Sequence, residues 1–101
     1  MKIKDGVIMT GLQFPMRLVL IEADRIMRIF KKELVVTSAL DGEHSPGSLH
    51  YYGFALDFRT RHLDDDEKVK FHDELSYRLT SNYRCILEYT HLHVEYRGKL
   101  K

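Results

Sequence analysis

Residues able to bind a metal and move protons gather in two short stretches of this chain. His50 and Asp57 stand seven positions apart, and His91, His93 and Glu95 follow at every second position near the C-terminus. Two imidazoles and a carboxylate are the ligand types of a zinc site that keeps a coordination position open for water, the catalytic kind. Side chains alternate across a strand, so over residues 53–59 one face carries Gly53, Ala55, Asp57 and Arg59 and the other Phe54, Leu56 and Phe58. The aromatic face belongs against a core. The opposite face is expected to be a bare floor leading to Asp57, over which His50 can fold. In the last strand His91, His93, Glu95 and Arg97 share one face. One of the two histidines suffices as a ligand, and the other can donate to an oxyanion or relay a proton.

An acid near this surface completes the set. Glu88 and His91 are three apart and would point to opposite faces of a continuous strand. If Tyr89-Thr90 is a two-residue hairpin turn, the two become cross-strand neighbours on one face. A bulge would have the same effect. The expected chemistry is then metal-assisted hydrolysis. Zinc is held by His50, Asp57 and His93, Glu88 is the general base, and His91 stabilises the oxyanion. Glu95 fits a supporting role beside a histidine better than a ligand role. Ser48 either bonds a ligand or substrate or caps its loop.

These groups must be positioned by a small scaffold. Pro15 suits the first position of a helix. Val19, Ala23, Ile26, Met27 and Phe30 recur at helical spacing, which predicts a helix over 16–32 with Lys31 and Lys32 favourable in its last turn. Residues 6–15 read as a short strand or extended arm, and residues 34–37, β-branched, as a strand. The stretch 38–49 holds Gly42, Pro46 and Gly47 and reads as a long loop, of the kind that is more often functional than idle. Asp64 to Glu67 place acidic groups at the start of a second helix, rather than forming a metal cluster, and Phe71, Leu75 and Leu79 form its apolar stripe. Strands over 83–88 and 91–96 end the chain. The expected fold is α+β: one domain over 1–101, with two helices on a mainly antiparallel sheet.

At the chemical residues the chain resembles peptidase family M15, the zinc D-Ala-D-Ala carboxypeptidases and L-Ala-D-Glu endopeptidases, whose metal fold is shared with the hedgehog signalling domain. The motif Ser-x-His-x-x-Gly-x-Ala-x-Asp is matched at Ser48, His50, Gly53, Ala55 and Asp57, and the His-x-His and His-hydrophobic-Glu endings at His91, His93 and Glu95. The resemblance implies a hedgehog/DD-peptidase-like fold, Zn2+ on His50, Asp57 and His93, and cleavage beside a D-amino acid in peptidoglycan stem peptides. It implies an acidic base shortly before the last ligand, for which Glu88 is the nearest candidate; Glu88 lies three before His91, which would then be the ligand, but His93-Val94-Glu95 fits the family ending better. Many members carry an arginine soon after a Thr-Ser pair to hold the substrate carboxylate. Here Ala39-Leu40-Asp41 follows Thr37-Ser38, and Arg59 is the substitute.

The bulk numbers narrow the alternatives. The chain has 101 residues and net charge +1, which offers no basic footprint for nucleic acid. Its longest apolar run, Leu18 to Ile21, is too short for a membrane span. The N-terminus lacks a signal peptide's apolar region, so a cytoplasmic chain is expected, or one released to the cell wall in a phage or prophage member. Cys85, the only cysteine, reads as a buried small hydrophobe. His44, His62 and His72 read as bystanders, and Tyr51 and Tyr52 as packing. The alternative function is a zinc-containing binding or structural domain with little turnover, such as a phage component.

Overall fold

The apolar residues recurring after Pro15 form helix α1, Met16–Phe30, in the computed structural model, which describes residues 1–41, 48–50 and 52–98. Met16, Val19, Ala23, Ile26 and Met27 are buried on one face of α1. The helix ends two residues earlier than its lysines suggested. Lys31 adopts a left-handed conformation (φ 58°, ψ 39°); its N–H donates to the Arg28 carbonyl and that of Lys32 to the Met27 carbonyl. That is a Schellman closure made without the glycine that usually relieves it.

Helix α2, Asp65–Arg78, begins where the acidic run predicted. The Asp64 carboxylate accepts from the Glu67 N–H at 2.8 Å, and the Glu67 carboxylate accepts from the Asp64 N–H at 3.0 Å, a reciprocal capping box. The acidic run is therefore a helix start. Phe71, Leu75 and Leu79 are all buried.

Five strands form one sheet: β1 Lys2–Ile3, β2 Val35–Ser38, β3 Ala55–Arg59, β4 Tyr83–Leu87 and β5 His91–Tyr96, in the order β1-β2-β3-β5-β4. β1 runs parallel to β2, while the other pairings are antiparallel, so the sheet is mixed. The parallel pair arises because α1 lies between β1 and β2 in the chain, and a helical crossover returns the strand in the same direction. Residues 6–15, expected as a strand or arm, contribute no strand; pairing falls instead on Lys2–Ile3. Leu56, Phe58, Leu92 and Val94 share one cluster with the apolar faces of both helices, and Phe58 meets Phe71 at 6.1 Å between ring centroids. The helices therefore cover one face of the sheet. The other face carries Asp57 and His93. No helix among the described residues is long and apolar enough to cross a membrane.

Two expectations are corrected here. β3 starts at Ala55, not at Gly53, and the bare floor is absent. Gly53 has φ +79°, outside the strand region, and is buried; its carbonyl accepts from the Gln13 N–H at 2.9 Å. A Cβ on Gly53 would collide with the Gly11 carbonyl oxygen. The motif glycine thus admits the backbone of the N-terminal arm, not a ligand. Tyr52 is 60% exposed and does not pack. Cys85 is half-buried against the core, and burial pushes its thiol up, as expected of a small hydrophobe. His44 and Tyr51 lie outside the described residues.

The two positive-φ positions predict opposite outcomes. Lys31→Gly should stabilise the fold by about 1 kcal/mol, because glycine carries no left-handed penalty. Gly53→Ala should destabilise by more than about 2 kcal/mol, since it adds a collision to that penalty. Urea unfolding midpoints check both; equal signs would refute the backbone argument.

Candidate metal centre

Antiparallel register sets the distal half of the site. Asp57 pairs with His93, Arg59 with His91, and Ala55 with Glu95. Because pairing is one-to-one and side chains alternate, all of these lie on the sheet face away from the helices. The expected hairpin is present. β4 and β5 run in register to Leu87↔Leu92, and the Glu88 N–H donates to the His91 carbonyl at 2.9 Å, leaving Tyr89-Thr90 as the turn. Neither turn residue has a positive φ, so this is not a type I′ or II′ turn.

His50 arrives from a separate segment. The Ser48 hydroxyl accepts from the His50 N–H at 3.2 Å, and the Gly53 N–H donates to the His50 carbonyl at 3.1 Å. Ser48 therefore shapes the turn that delivers His50. The ring is then oriented by the residue after β2. His50 Nδ1 donates to the Ala39 carbonyl at 2.7 Å, which turns Nε2 toward the sheet.

Three atoms converge there. His93 Nδ1 lies 2.9 Å from Asp57 Oδ1, His50 Nε2 3.2 Å from His93 Nδ1, and His50 Nε2 3.3 Å from Asp57 Oδ1. His50 and Asp57 are buried and His93 is half-buried. This group could hold a metal ion. On the far side of His93, Nε2 donates to Glu95 Oε1 at 2.7 Å, and the Arg97 guanidinium donates to Glu95 Oε2 at 3.0 Å. Each histidine thus commits one nitrogen to an oxygen acceptor and aims the other at Asp57, the arrangement by which outer partners select a ligand's tautomer.

The electrostatics follow from burial. Desolvation alone would raise the Asp57 carboxyl, but hydrogen bonds from His50 and His93, with the charges of His50 and His91, hold it well below the usual carboxylate range. For His93, burial opposes the charged form, yet Asp57 and Glu95 outweigh it and raise its pKa above the ordinary histidine value.

The remaining expected residues separate. His91 Nε2 is 3.8 Å from Asp57 Oδ1, at the edge of the site, and its Nδ1 is hydrogen-bonded to the Thr90 hydroxyl at 3.0 Å. Arg59 sits on the Asp57 face beside His91. Glu88 occupies the expected position opposite His91 but is exposed at the turn. His62 and His72 are engaged elsewhere, with the carbonyls of Glu33 and Cys85. Sequence reasoning did not foresee the Ala39 carbonyl, since a main-chain acceptor carries no residue signature. The role of Arg97 was signalled by its two-residue spacing from Glu95.

Because a metal requires neutral His93, protons compete with it. Divalent-ion affinity measured by calorimetry should fall as pH drops, and the fall should begin above the ordinary histidine value of about 6.5. Glu95→Gln should weaken affinity about 10–100-fold. A pH-independent affinity, or an unaltered Glu95→Gln variant, would refute the tautomer-fixing role.

No family model, curated protein or solved structure matches this chain.

Proposed function

We propose that this chain is a zinc-dependent metallopeptidase that hydrolyses a peptide bond next to a D-amino acid in peptidoglycan stem peptides. The observation that carries the reading is the triangle of His50 Nε2, Asp57 Oδ1 and His93 Nδ1. Donor atoms about 2.0–2.2 Å from a tetrahedral zinc stand about 3.3–3.6 Å from one another. The separations of 2.9, 3.2 and 3.3 Å are close to those of one tetrahedral face. A mixed imidazole and carboxylate set with two oriented histidines suits zinc. The resemblance of the Ser48-to-Asp57 motif to peptidase family M15 supplies the substrate class.

Bound zinc would act as a Lewis acid, polarising a peptide carbonyl and lowering the pKa of water. The chain's own residues do the rest. Asp57, ionised even at low pH, offsets the cation's charge. Glu95 and Arg97 keep the His93 ring in place. His91, just outside the triangle, donates a hydrogen bond to the oxyanion that develops during attack. Glu88 takes the proton from the attacking water and returns it to the leaving amine.

One observation favours a second reading, a zinc-bearing binding domain with little turnover. Glu88 is exposed and makes no side-chain hydrogen bond or ion pair among the described residues. A general base must come within about 3.2 Å of its proton, directly or through one water.

Purified protein incubated with muropeptides should release fragments in a chelator-sensitive manner, detected by mass spectrometry. His50→Ala and His93→Ala should each lower zinc content and activity by at least about 100-fold, more than the loss of an outer partner. Glu88→Gln should retain zinc and lose about 100- to 10,000-fold in rate. Zinc retention with no cleavage of any wall type would establish the binding domain instead. Full metal retention in both histidine variants would overturn the site.

A further inference from the structure

A cavity of about 250 Å³ opens beside the metal centre, lined by Lys4, Thr37, Arg59, Arg61, Thr90 and His91. Its walls come from three parts of the fold: the residue after β1, the bulged middle of β2 with the end of β3, and the hairpin turn before β5. The Lys4 N–H donates to the Val36 carbonyl, the Thr37 hydroxyl to the Asp57 carbonyl at 3.3 Å, and the Thr60 N–H to the Thr90 carbonyl. The backbone on all sides is therefore anchored.

The charges are unusual for this chain. Four of the six other arginines are tied to carboxylates: Arg25 to Glu22, Arg28 to Asp24, Arg78 to Glu74 and Glu22, and Arg97 to Glu95. Lys4, Arg59 and Arg61 make no ion pair among the described residues. Three cations thus face one cavity without a counter-charge, in a chain whose net charge is only +1. Two threonine hydroxyls and an imidazole add further polar groups. Guanidinium groups bind planar or tetrahedral oxyanions through paired N–H donors. Three cations match a multiply charged anion better than a single carboxylate, which one arginine would balance.

We propose that this cavity is an oxyanion site for a phosphate-class dianion, either inorganic phosphate or a phosphate monoester. It is distinct from the metal triangle and stands without a metal. Arg59 and Arg61 supply the paired donors, and Lys4 adds charge. His91 belongs to both regions. Its ring lines the cavity while its Nε2 lies 3.8 Å from Asp57 Oδ1, so an anion seated there is next to the metal centre.

Chelator-treated full-length protein, titrated with inorganic phosphate, phenyl phosphate or acetate and followed by NMR shifts, tests the site without interference from metal. Phosphate or its monoester should saturate, with shifts at Arg59, Arg61 and Thr90, and acetate should bind at least tenfold more weakly. Saturation by inorganic phosphate alone identifies the free ion as the ligand; saturation by phenyl phosphate identifies the monoester as accepted. Arg61→Glu, at an exposed position, should weaken phosphate binding at least tenfold while leaving the unfolding midpoint and the zinc content of the reloaded protein unchanged. Arg59→Lys should lose less than Arg59→Ala. Absence of saturable phosphate binding, acetate binding as tightly as phosphate, or undiminished binding in Arg61→Glu would each overturn the proposal.

Discussion

A buried carboxylate between two imidazoles is the constraint to which the polar side of this fold answers. Asp57 sits at the middle of β3, 8% exposed, with His93 across the strand pair and His50 above it. A lone buried carboxylate is costly, and the cost is met here by hydrogen bonds from both rings and by the charges of His50 and His91. Those rings must in turn be held. The Ala39 carbonyl holds one, and Glu95, itself gripped by Arg97, holds the other. Removing any member leaves a buried group without its partner, so the cluster is a unit rather than a sum of pairs.

The apolar side of the sheet makes that cluster possible. Leu56 and Phe58 flank Asp57 in sequence and point the other way, into the helices. Because the side-chain period is two, packing these residues dictates that Asp57 faces outward from the helices. The same holds for Leu92 and Val94 around His93. The core therefore aims the ligands, and a one-residue slip of β5 against β3 would bury the histidines among phenylalanines. The capping box at Asp64 and the Schellman closure at Lys31 fix where the helices start and stop, which keeps their apolar faces in step with the strands.

The candidate metal centre and the basic cavity lie side by side on the uncovered face. Acidic and imidazole groups concentrate at the middle of β3 and β5, and cations without a carboxylate partner among the described residues at the end of β3 and just after β1. The division has a topological cause. The antiparallel strands β3 and β5 bring Arg59 and His91 together at one end while Ala55 and Glu95 meet at the other. His91 stands at the boundary between the two regions.

Local pattern was enough for much of this protein. The spacing of Val19, Ala23, Ile26 and Met27 disclosed α1, the acidic run disclosed the start of α2, and alternation in β3 and β5 put Asp57, His91, His93 and Glu95 on one surface. The pairing of Glu88 with His91 also followed from counting residues around Tyr89-Thr90. These features are governed by periods and turns within a few residues, which a linear chain displays directly. Other features were decided only in three dimensions. The parallel β1, the filling of space beside Gly53 by the Gly11 backbone, and the Ala39 carbonyl behind His50 all join segments far apart in sequence. The meeting of Lys4 with Arg59 and Arg61 is of the same kind. Such contacts depend on main-chain groups and long-range closure, which side-chain identity does not encode. The residue types determined which chemistry was available, and the tertiary fold decided which groups meet.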